Sequence, residues 1–398
     1  MSGVVEALEA HQQYISSGKL SSRLLRQSVF RAWERSHQQG ASARRAKAIE
    51  LEPYETERLV ATEQHIIAAA KPYMRALSKA AGSDQHAAML GDARAIVLDV
   101  LGDEQSVHGP VSVPGPGSLL DESACGANGI GTPLAEGGYV ELVGPEHFIE
   151  GFHPFTCQGI PIRSVGGDIV AAISVSVKRP ETGRRLREIL ICAAHGIEME
   201  LIRHRLENTV DHIATLPTPV FVENLRQDVV QALTSARLNV ELAARSLGKP
   251  NPSDVSRLLE LANRSMSIFR RQGILWRKII SRQTADDEDI DLFTLVQDLV
   301  SLLETERRTG TITLDTRGVV EPVVIRGDPY ETPRALFRMF LRAFDVARGG
   351  GSVQVSIQRT FDHHGEVSLE AIPGPNQSGT KSLFTLARPL STTLFLAE

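Results

Sequence analysis

The chain has little or none of several features that mark particular classes of protein. Its 398 residues include only three cysteines, Cys125, Cys157 and Cys192, which argues against a disulfide framework and favours a reducing compartment. Its longest near-apolar run, at 169–177, is well short of the roughly 20 residues that a membrane helix needs. The first residues lack the basic and apolar regions of a signal peptide. We therefore expect a cytoplasmic protein without a membrane contact.

Charge and missing motifs narrow the function further. A net charge of −5 and an isoelectric point near 6.2 provide no global basic field for nucleic acid. The sequence contains no GxxxxGK[ST] phosphate loop and no evident basic recognition helix at its end. We expect no direct DNA binding, no metal and no cofactor, while an unidentified small-molecule ligand stays open. The length predicts two or three domains.

A long amphipathic segment at 220–243 organises the rest of the chain. Its apolar residues recur every three or four positions, which predicts one helix with a single apolar face. They are Val222, Leu225, Val229, Leu233, Ala236, Val240 and Ala243. A second helical run begins near Pro252, and Gly248 suits the end of the first helix. The pattern predicts a helical hairpin that buries its apolar face against a second copy, with an ordinary intrachain hairpin as the alternative.

The first 210 residues change from helical to β-type patterns and back. Residues 1–80 are predicted to be helical, with Val29, Phe30 and Trp33 on one face of the segment 27–40. Short β-type runs separated by glycine- and proline-rich turns follow between 93 and 177. A long helix is predicted from Thr182 to about His212. Helices that flank an antiparallel sheet predict an α+β multidomain protein.

Three segments of this region resemble a known family. Glu34–Ser36 follow Trp33, the stretch CGANGIGTPLAEGGYVELVGPEHF spans 125–148, and FTCQGIPIRS spans 155–164. In this order they resemble the N-terminal sensory GAF domain of the acetoin-regulator type of bacterial enhancer-binding activators, from about 25 to 205. Ala127 departs from the family pattern, which commonly has Thr there. The loop glycines suit turns with positive φ.

The resemblance implies a small-ligand pocket between a sheet and its covering helices. Its lining would come from the segment 146–157, whose aromatic and polar side chains suit a small organic ligand. The candidates are His147, Phe148, Phe152, His153, Phe155 and Cys157. Two alternatives stay open: the aromatic residues are core packing, or the two histidines and Cys157 hold zinc or iron. Cys157 is also a candidate redox-reactive thiol if its pKa is lowered.

The hairpin resembles the dimerisation and phosphoacceptor helix of bacterial sensor histidine kinases. The residues in register are Phe221, Leu233, Thr234, Glu241 and Leu242. The position of the phosphoacceptor histidine is Gln227, whose amide lacks the nucleophilic nitrogen of an imidazole. The resemblance implies a dimeric four-helix bundle that has lost its phosphoacceptor. Its docking face for a partner would include Arg226, Gln227, Asp228 and Gln231.

Residues 290–398 resemble the ATP-binding domain of histidine kinases. The residues that fit its first motif are Gly327, Asp328, Leu336 and Ala343. The two asparagine positions are Arg338 and Arg342, and a guanidinium cannot supply the oxygen ligand that magnesium needs. EAIPGPNQSG at 370–379 replaces the D-x-G-x-G motif, and the glycine-rich lid is absent. The resemblance implies a degenerate α/β sandwich, although the row Arg334, Arg338 and Arg342 also suits an anion site or a solvated helix face.

These observations predict five consecutive segments. They are an N-terminal helical segment at 1–24, a GAF-like sensory domain at 25–181, a signalling helix and linker at 182–215, a histidine-kinase-like dimerisation hairpin at 216–282, and a degenerate kinase ATP-binding-like domain at 290–398. The function indicated is a homodimeric cytoplasmic regulator without catalytic residues. It would sense a small ligand or metabolic state and act on a response regulator or transcriptional regulator. The alternative is an active or atypical sensor histidine kinase or phosphorelay protein.

Overall fold

The fold is known from a computed structural model that describes residues 2–164, 166–210, 234, 238–245, 252–280, 284–318, 322–360, 362–375 and 380–391. The chain divides into two compact units. Unit 1 comprises Met1–Arg205 and Ala232–Ser267, and unit 2 comprises Leu206–Gln231 and Ile268–Glu398. Both units combine helices with β-sheet, which confirms a mixed α/β multidomain protein. No helix within the described ranges is long and apolar enough to cross a bilayer.

Helices and strands follow each other closely along the chain. The helices are α1 (Ser2–Ser17), α2 (Gln27–Gln38), α3 (Pro53–Thr62), α4 (Gln64–Ala81), α5 (Glu104–His108), α6 (Glu122–Cys125), α7 (Gly131–Glu136), α8 (Pro180–Val210), α9 (Pro252–Ile280), α10 (Leu292–Leu302), α11 (Glu304–Thr309) and α12 (Glu331–Ala347). The strands are β1 (Ile49–Glu50), β2 (His86–Asp92), β3 (Val97–Gly102), β4 (Ser118–Leu119), β5 (Val140–Val143), β6 (Thr156–Arg163), β7 (Ile169–Val177), β8 (Glu288–Asp291), β9 (Thr313–Gly318), β10 (Val324–Gly327), β11 (Ser352–Arg359), β12 (His364–Ile372) and β13 (Ser382–Pro389). Residues 238–245 are also helical.

The core of unit 1 is a five-stranded antiparallel sheet in the order β3-β2-β7-β6-β5. Its central strand β7 is almost wholly apolar because side chains on both of its faces are buried. Two helices, α4 and α8, lie against each other next to this sheet. A Cβ on Gly196 of α8 would lie only 2.2 Å from the ring of Tyr73 on α4. Only glycine at 196 therefore permits this close approach of the two helices.

Helix α8 is buried on more than one side. Leu186, Ile189, Leu190, Cys192, Ala193 and Ile197 are all fully buried. The Cys192 thiol contacts the Leu259 carbonyl at 3.8 Å, and His195 Nδ1 lies 3.4 Å from Asn263 Oδ1. The first part of α9 therefore covers α8 within unit 1. The spacing of apolar residues in this segment correctly predicted a long helix, whose observed bounds are Pro180–Val210.

Unit 2 contains a four-stranded sheet in the order β13-β12-β11-β9, in which only β9 and β11 are parallel. A short antiparallel ribbon of β8 and β10 stands beside it. Helix α12 is strongly amphipathic, and Leu336, Phe337, Phe340 and Phe344 on one face are fully buried. The Trp276 ring of α9 packs edge-on against Phe337 at 5.8 Å. The last turns of α9 thus belong to the core of unit 2.

Candidate functional site

The glycine-rich loop at 126–132 lies directly on the sheet of unit 1. A Cβ on Gly159 of β6 would sit 2.0 Å from the Gly129 carbonyl oxygen. A Cβ on Gly129 would sit 2.5 Å from Ser174 Oγ of β7, and one on Gly91 would meet Ile130 at 2.6 Å. Of the loop glycines only Gly126 has a positive φ. Gly126 therefore adopts the positive-φ turn that the sequence suggested, whereas Gly129 allows the loop to contact the sheet and Gly131 allows it to approach the Leu120 carbonyl.

Asn128 holds this loop in shape. Its side-chain amide donates to the carbonyl oxygens of Leu120 (2.6 Å) and Gly126 (2.7 Å). Its side-chain oxygen accepts from the backbone N–H groups of Ile130 (2.9 Å) and Gly131 (2.8 Å). Because both donors and the acceptor of this fully buried amide are used, the residue is a structural clamp.

Arg35, from the ERS triplet, connects α2 to α6 and α7, the helices on either side of this loop. Its guanidinium donates to both carboxylate oxygens of Glu122, at 2.6 and 3.0 Å, and to Glu136 at 2.6 Å. Glu122 is almost fully buried, with 4% of its side chain exposed. Hydrogen bonds to these carboxylates raise the pKa of Arg35, so it stays charged. This bidentate ion pair therefore offsets the free-energy cost of burying the Glu122 carboxylate away from water.

Replacing Arg35 with Gln is expected to destabilise unit 1 by about 2–3 kcal/mol, because Glu122 would remain buried without its countercharge. Arg31→Gln is the matched control. Arg31 also contacts Glu136, at 3.1 Å, but half of its side chain is exposed, and its loss is expected to cost less than about 0.5 kcal/mol. Urea unfolding of both variants measures the difference. Equal effects of the two substitutions would contradict this account of the ion pair.

An aromatic cluster, defined as His11, Tyr14, Trp33, His147, Phe148, Phe152 and His153, lies beside the loop. The fully buried Trp33 donates its indole N–H to the Glu146 carbonyl at 2.8 Å. Phe148 packs against Trp33 at 5.2 Å and against Tyr14 at 5.3 Å between ring centroids. The cluster therefore joins α1, α2 and the 144–155 segment, and it includes four of the six predicted pocket residues.

Three histidines in this cluster are held neutral. Burial lowers the pKa of His147 to about 4, and its Nδ1 donates to the Gly144 carbonyl at 2.9 Å. Burial also lowers the pKa of His153 to about 4, with a further contribution from His11, whose ring is 4.5 Å away. The pKa of His11 is likewise lowered by burial. Within the described residues, the buried Nε2 atoms of His11 and His147 have no hydrogen-bond partner, so that of His147 is a free acceptor.

The two remaining predicted pocket residues lie in the apolar core of unit 1. Phe155 is buried at the end of the 144–155 segment, and its carbonyl accepts from Gly144 N at 3.0 Å. Cys157 of β6 lies under the glycine-rich loop, and its thiol is 3.1 Å from Ser176 Oγ. In the described part of the chain, no three His, Cys, Asp or Glu side chains converge as metal ligands. His147, His153 and Cys157 are therefore not brought together as three ligands of one ion.

All three cysteines are expected to be unreactive in the native protein. Cys125, Cys157 and Cys192 are buried, and burial raises the pKa of each to about 12. Because the thiolate is the reactive form, an aromatic disulfide reagent at pH 8 should label the folded chain at least about a hundredfold more slowly than the urea-unfolded chain. Rapid labelling of Cys157 in the folded protein would restore the alternative that it is a redox-reactive thiol.

Two residues of the cluster, His11 and Tyr14, escaped the sequence analysis because α1 was assigned outside the sensory domain. Ala7, Ala10 and His11 are buried on one face of α1, and Tyr14 follows one turn later. The 3–4-residue spacing of these positions was the available signal. The Tyr14 hydroxyl also forms a 2.8 Å hydrogen bond with His37 Nδ1 of α2.

In unit 2 the two arginines predicted at the magnesium-binding asparagine positions lie on one helix. Arg338 and Arg342 are exposed on α12 and make no hydrogen bond or ion pair within the described residues. Asp328 caps this helix, since its carboxylate accepts from the N–H groups of Tyr330 (2.7 Å) and Glu331 (2.9 Å). Glu370 is paired with Lys381 at 2.5 Å. The two acids nearest the expected nucleotide motifs are therefore both occupied by contacts within the chain.

The segment at 370–379, which the resemblance places at the D-x-G-x-G motif, contacts the turn after α12. A Cβ on Gly374 would lie 2.3 Å from the Gly349 carbonyl oxygen, and one on Gly351 would lie 2.3 Å from the Ile372 carbonyl oxygen. These glycines bring two backbone segments together. The docking residues predicted on the hairpin, which are Arg226, Gln227, Asp228 and Gln231, lie outside the described residues.

Comparison with known proteins addresses unit 1 most directly. Residues 4–198 match the family model of the MimR N-terminal domain. The acetoin dehydrogenase operon transcriptional activator AcoR of Bacillus subtilis is 24% identical over 258 residues, which cover 60% of this chain and 41% of AcoR. The N-terminal part of the chain is thus homologous to AcoR- and MimR-type transcriptional activators. The chain spans less than half of the length of these curated activators.

Two solved structures are similar at low identity. The E. coli DhaR(N)–DhaL complex has a chain that aligns with 47% of this chain and 65% of its own length, at 14% identity and a TM-score of 0.43. The histidine kinase ThkA in complex with the response regulator TrrA aligns with 71% of this chain and 78% of its own length, at 13% identity and a TM-score of 0.21.

Proposed function

We propose that the chain is a signal-transduction regulator that senses a small molecule in unit 1 and takes part in the control of transcription. The observation that carries this proposal is the aromatic cluster. It combines buried rings, neutral histidines and an unpartnered acceptor nitrogen in the region that matches the N-terminal domain of operon activators. Such a combination of apolar surface and a few polar groups suits a small organic ligand.

The sensory domain is proposed to be of the GAF type, with its ligand bound at the aromatic cluster. The glycine-rich loop already occupies the sheet surface around Gly159 and Ser174, which leaves the cluster as the better place for a ligand. His147 Nε2 would accept a hydrogen bond from an O–H or N–H group of that ligand. Phe148, Phe152 and Trp33 would contact its apolar part. His153, Phe155 and Cys157 would shape the site from neighbouring positions.

The output is proposed to pass through a homodimeric, kinase-like core without phosphoryl transfer. Gln227 stands at the phosphoacceptor position, and Arg338 and Arg342 replace the magnesium-binding asparagines. Ligand binding would shift the balance between two packings of the hairpin, and this requires a ligand with different affinity for the two. A cytoplasmic response regulator or transcriptional regulator would read the change near Arg226, Gln227, Asp228 and Gln231.

Transcript profiling of a deletion strain, complemented with defined variants, tests this proposal. His147→Asn keeps a donor for the Gly144 carbonyl and removes Nε2, whereas His108→Asn changes an exposed histidine as the control. We expect the wild type, His108→Asn and an Arg338→Ala/Arg342→Ala double variant to restore the regulated transcripts. His147→Asn should fail to do so while remaining folded. Deletion without any transcript change, or full complementation by His147→Asn, would contradict the proposal.

A further inference from the structure

Unit 2 contains a cavity of about 340 Å³ that no predicted site accounts for. It opens between α9, α10, β8 and the first turn of α12. Its volume falls in the range of roughly 300–1,000 Å³ that is typical of small-molecule pockets. Arg338 and Arg342 are not among its lining residues. The cavity is therefore distinct from the site implied by the kinase resemblance.

The cavity has an apolar floor built from three elements. Ile274 and Leu275 come from α9, Ile290 from β8 and Leu295 from α10. Leu275 and Leu295 are buried, and Ile274 and Ile290 are half-buried. These aliphatic side chains form a surface that would bury a small hydrocarbon group away from water, which favours binding.

Charged groups of opposite sign stand on facing walls of the cavity. Arg271 and Lys278 lie seven residues apart on α9, on the helix face that also carries Ile274 and Leu275. Asp298 lies on α10, one turn after Leu295. Within the described residues, none of Arg271, Lys278 and Asp298 forms an ion pair. Among the described lining residues the cavity therefore offers two unpaired cations, a half-buried unpaired carboxylate at Asp298 and an exposed one at Glu288.

Two other acids around the cavity are already engaged, whereas the third, Glu288, is exposed. Asp289 pairs with Arg326 at 3.4 Å and accepts from Ser391 at 2.7 Å. Asp291 caps α10 by accepting from Phe293 N at 3.0 Å. Asp298 differs from them, since burial raises its pKa while the charge of Arg271 opposes the rise. A half-buried, unpaired acid in a cleft is a common sign of a binding site.

We propose that this cavity binds a small zwitterion with an aliphatic body, of the class of branched-chain α-amino acids. The ligand carboxylate contacts Arg271 and Lys278, and its ammonium group contacts Asp298. The aliphatic body lies on Ile274, Leu275 and Leu295. This gives the kinase-like unit a small-molecule input of its own, and it does not rest on the proposed sensory role of unit 1.

Calorimetric titration of the full chain with three matched probes tests the proposal. L-Leucine carries both charges, isoamylamine lacks the carboxylate and 4-methylpentanoate lacks the amine. The wild-type chain should bind leucine at least about tenfold more tightly than either analogue, because only leucine satisfies both walls. Asp298→Asn should weaken leucine and isoamylamine at least about tenfold and leave 4-methylpentanoate unchanged. Arg271→Gln should weaken leucine and 4-methylpentanoate and leave isoamylamine unchanged.

Arg338→Gln, on α12, is the control and should change none of these affinities. Fluorescence in a Trp33→Phe background, where Trp276 is the only tryptophan, reports whether each variant keeps the core of unit 2, since this side chain is buried there. If one variant unfolds, the other still tests one wall of the cavity. No leucine binding by the wild type up to roughly 10 mM would overturn the proposal. Equal leucine binding by the wild type and folded Asp298→Asn and Arg271→Gln variants would overturn it too.

Discussion

Gly159→Ala is expected to destabilise unit 1 by about 3 kcal/mol, a large effect for the addition of one methyl group. The new Cβ would lie 2.0 Å from the Gly129 carbonyl oxygen and 2.6 Å from Pro133. A backbone carbonyl cannot turn aside as a flexible side chain can. The loop must therefore lift from the sheet, and its contacts with Ser174 and Cys157 would be lost. Urea unfolding followed by Trp33 fluorescence measures the change, in a Trp276→Phe background that leaves Trp33 as the only tryptophan.

Gly138→Ala is the matched control for this substitution. No heavy atom lies within 4 Å of a Cβ at Gly138, so its stability should change by less than about 0.5 kcal/mol. If Gly159→Ala is as stable as this control, the loop does not lie on the sheet as described. The aromatic cluster would then lose its advantage over the sheet surface as the ligand site.

Unit 1 is expected to lose stability steeply as the pH falls from about 6.5 to about 4, because its buried histidines are neutral. In the unfolded chain histidine binds a proton near pH 6.5, whereas in the folded chain the pKa of His147 is about 4. Between these values the unfolded state holds more protons, so acidification favours unfolding. Because His147 is fully buried, its contribution to this loss of unfolding free energy is about 2–3 kcal/mol. Urea midpoints from pH 7 to pH 4.5 measure the loss.

Comparison with His147→Asn isolates this contribution from that of the carboxylates. The variant lacks the titrating ring, so the stability difference between it and the wild type should shrink as the pH falls. His153 and His11 remain in both proteins, so their contributions to the pH dependence of stability cancel to first order in this comparison. A difference that is independent of pH would mean that His147 is accessible to protons in the folded state.

The sequence predicted most of the helices and strands where the pattern is periodic and long. The helices at Gln27–Gln38, Pro180–Val210 and Pro252–Ile280 are confirmed, as is the buried strand Ile169–Val177. Within residues 1–80, predicted only as helical, the structure has two separate helices, α3 and α4, which meet near Glu63. No proline or glycine marks this break, so local pattern alone could not place it.

Strand β2 (His86–Asp92) was missed, because the letters HAAMLGD lack the β-branched and aromatic residues typical of strands. Its small side chains are explained only in the folded sheet. Ala87 and Met89 belong to the core cluster beside the loop, and Gly91 faces Ile130. Strand β2 therefore contains residues with low strand propensity because a loop packs closely against it. Contact with the sheet also explains why Gly129 was wrongly assigned to a turn.

The candidate site was only partly visible in the sequence. His147, Phe148, Phe152 and His153 are close in the chain, so a local motif identified them together. His11 and Tyr14 reach them from far away in sequence, and only the packing of α1 brings them there. The partners of Arg35 are 87 and 101 residues away. Contacts between such distant residues depend on tertiary packing, which spacing in the sequence cannot supply.

Titration of the full chain with labelled ATP and magnesium, followed by assay for acid-labile phosphate, tests the central claim most directly. We expect neither saturable magnesium-dependent binding of ATP nor phosphate on the protein. Gln227 is not a nucleophile, and Arg338 and Arg342 cannot bind magnesium. Magnesium-dependent binding together with labelled protein would contradict the central claim. The chain would then be an active kinase, and these three residues would not occupy the positions that the resemblance assigns to them.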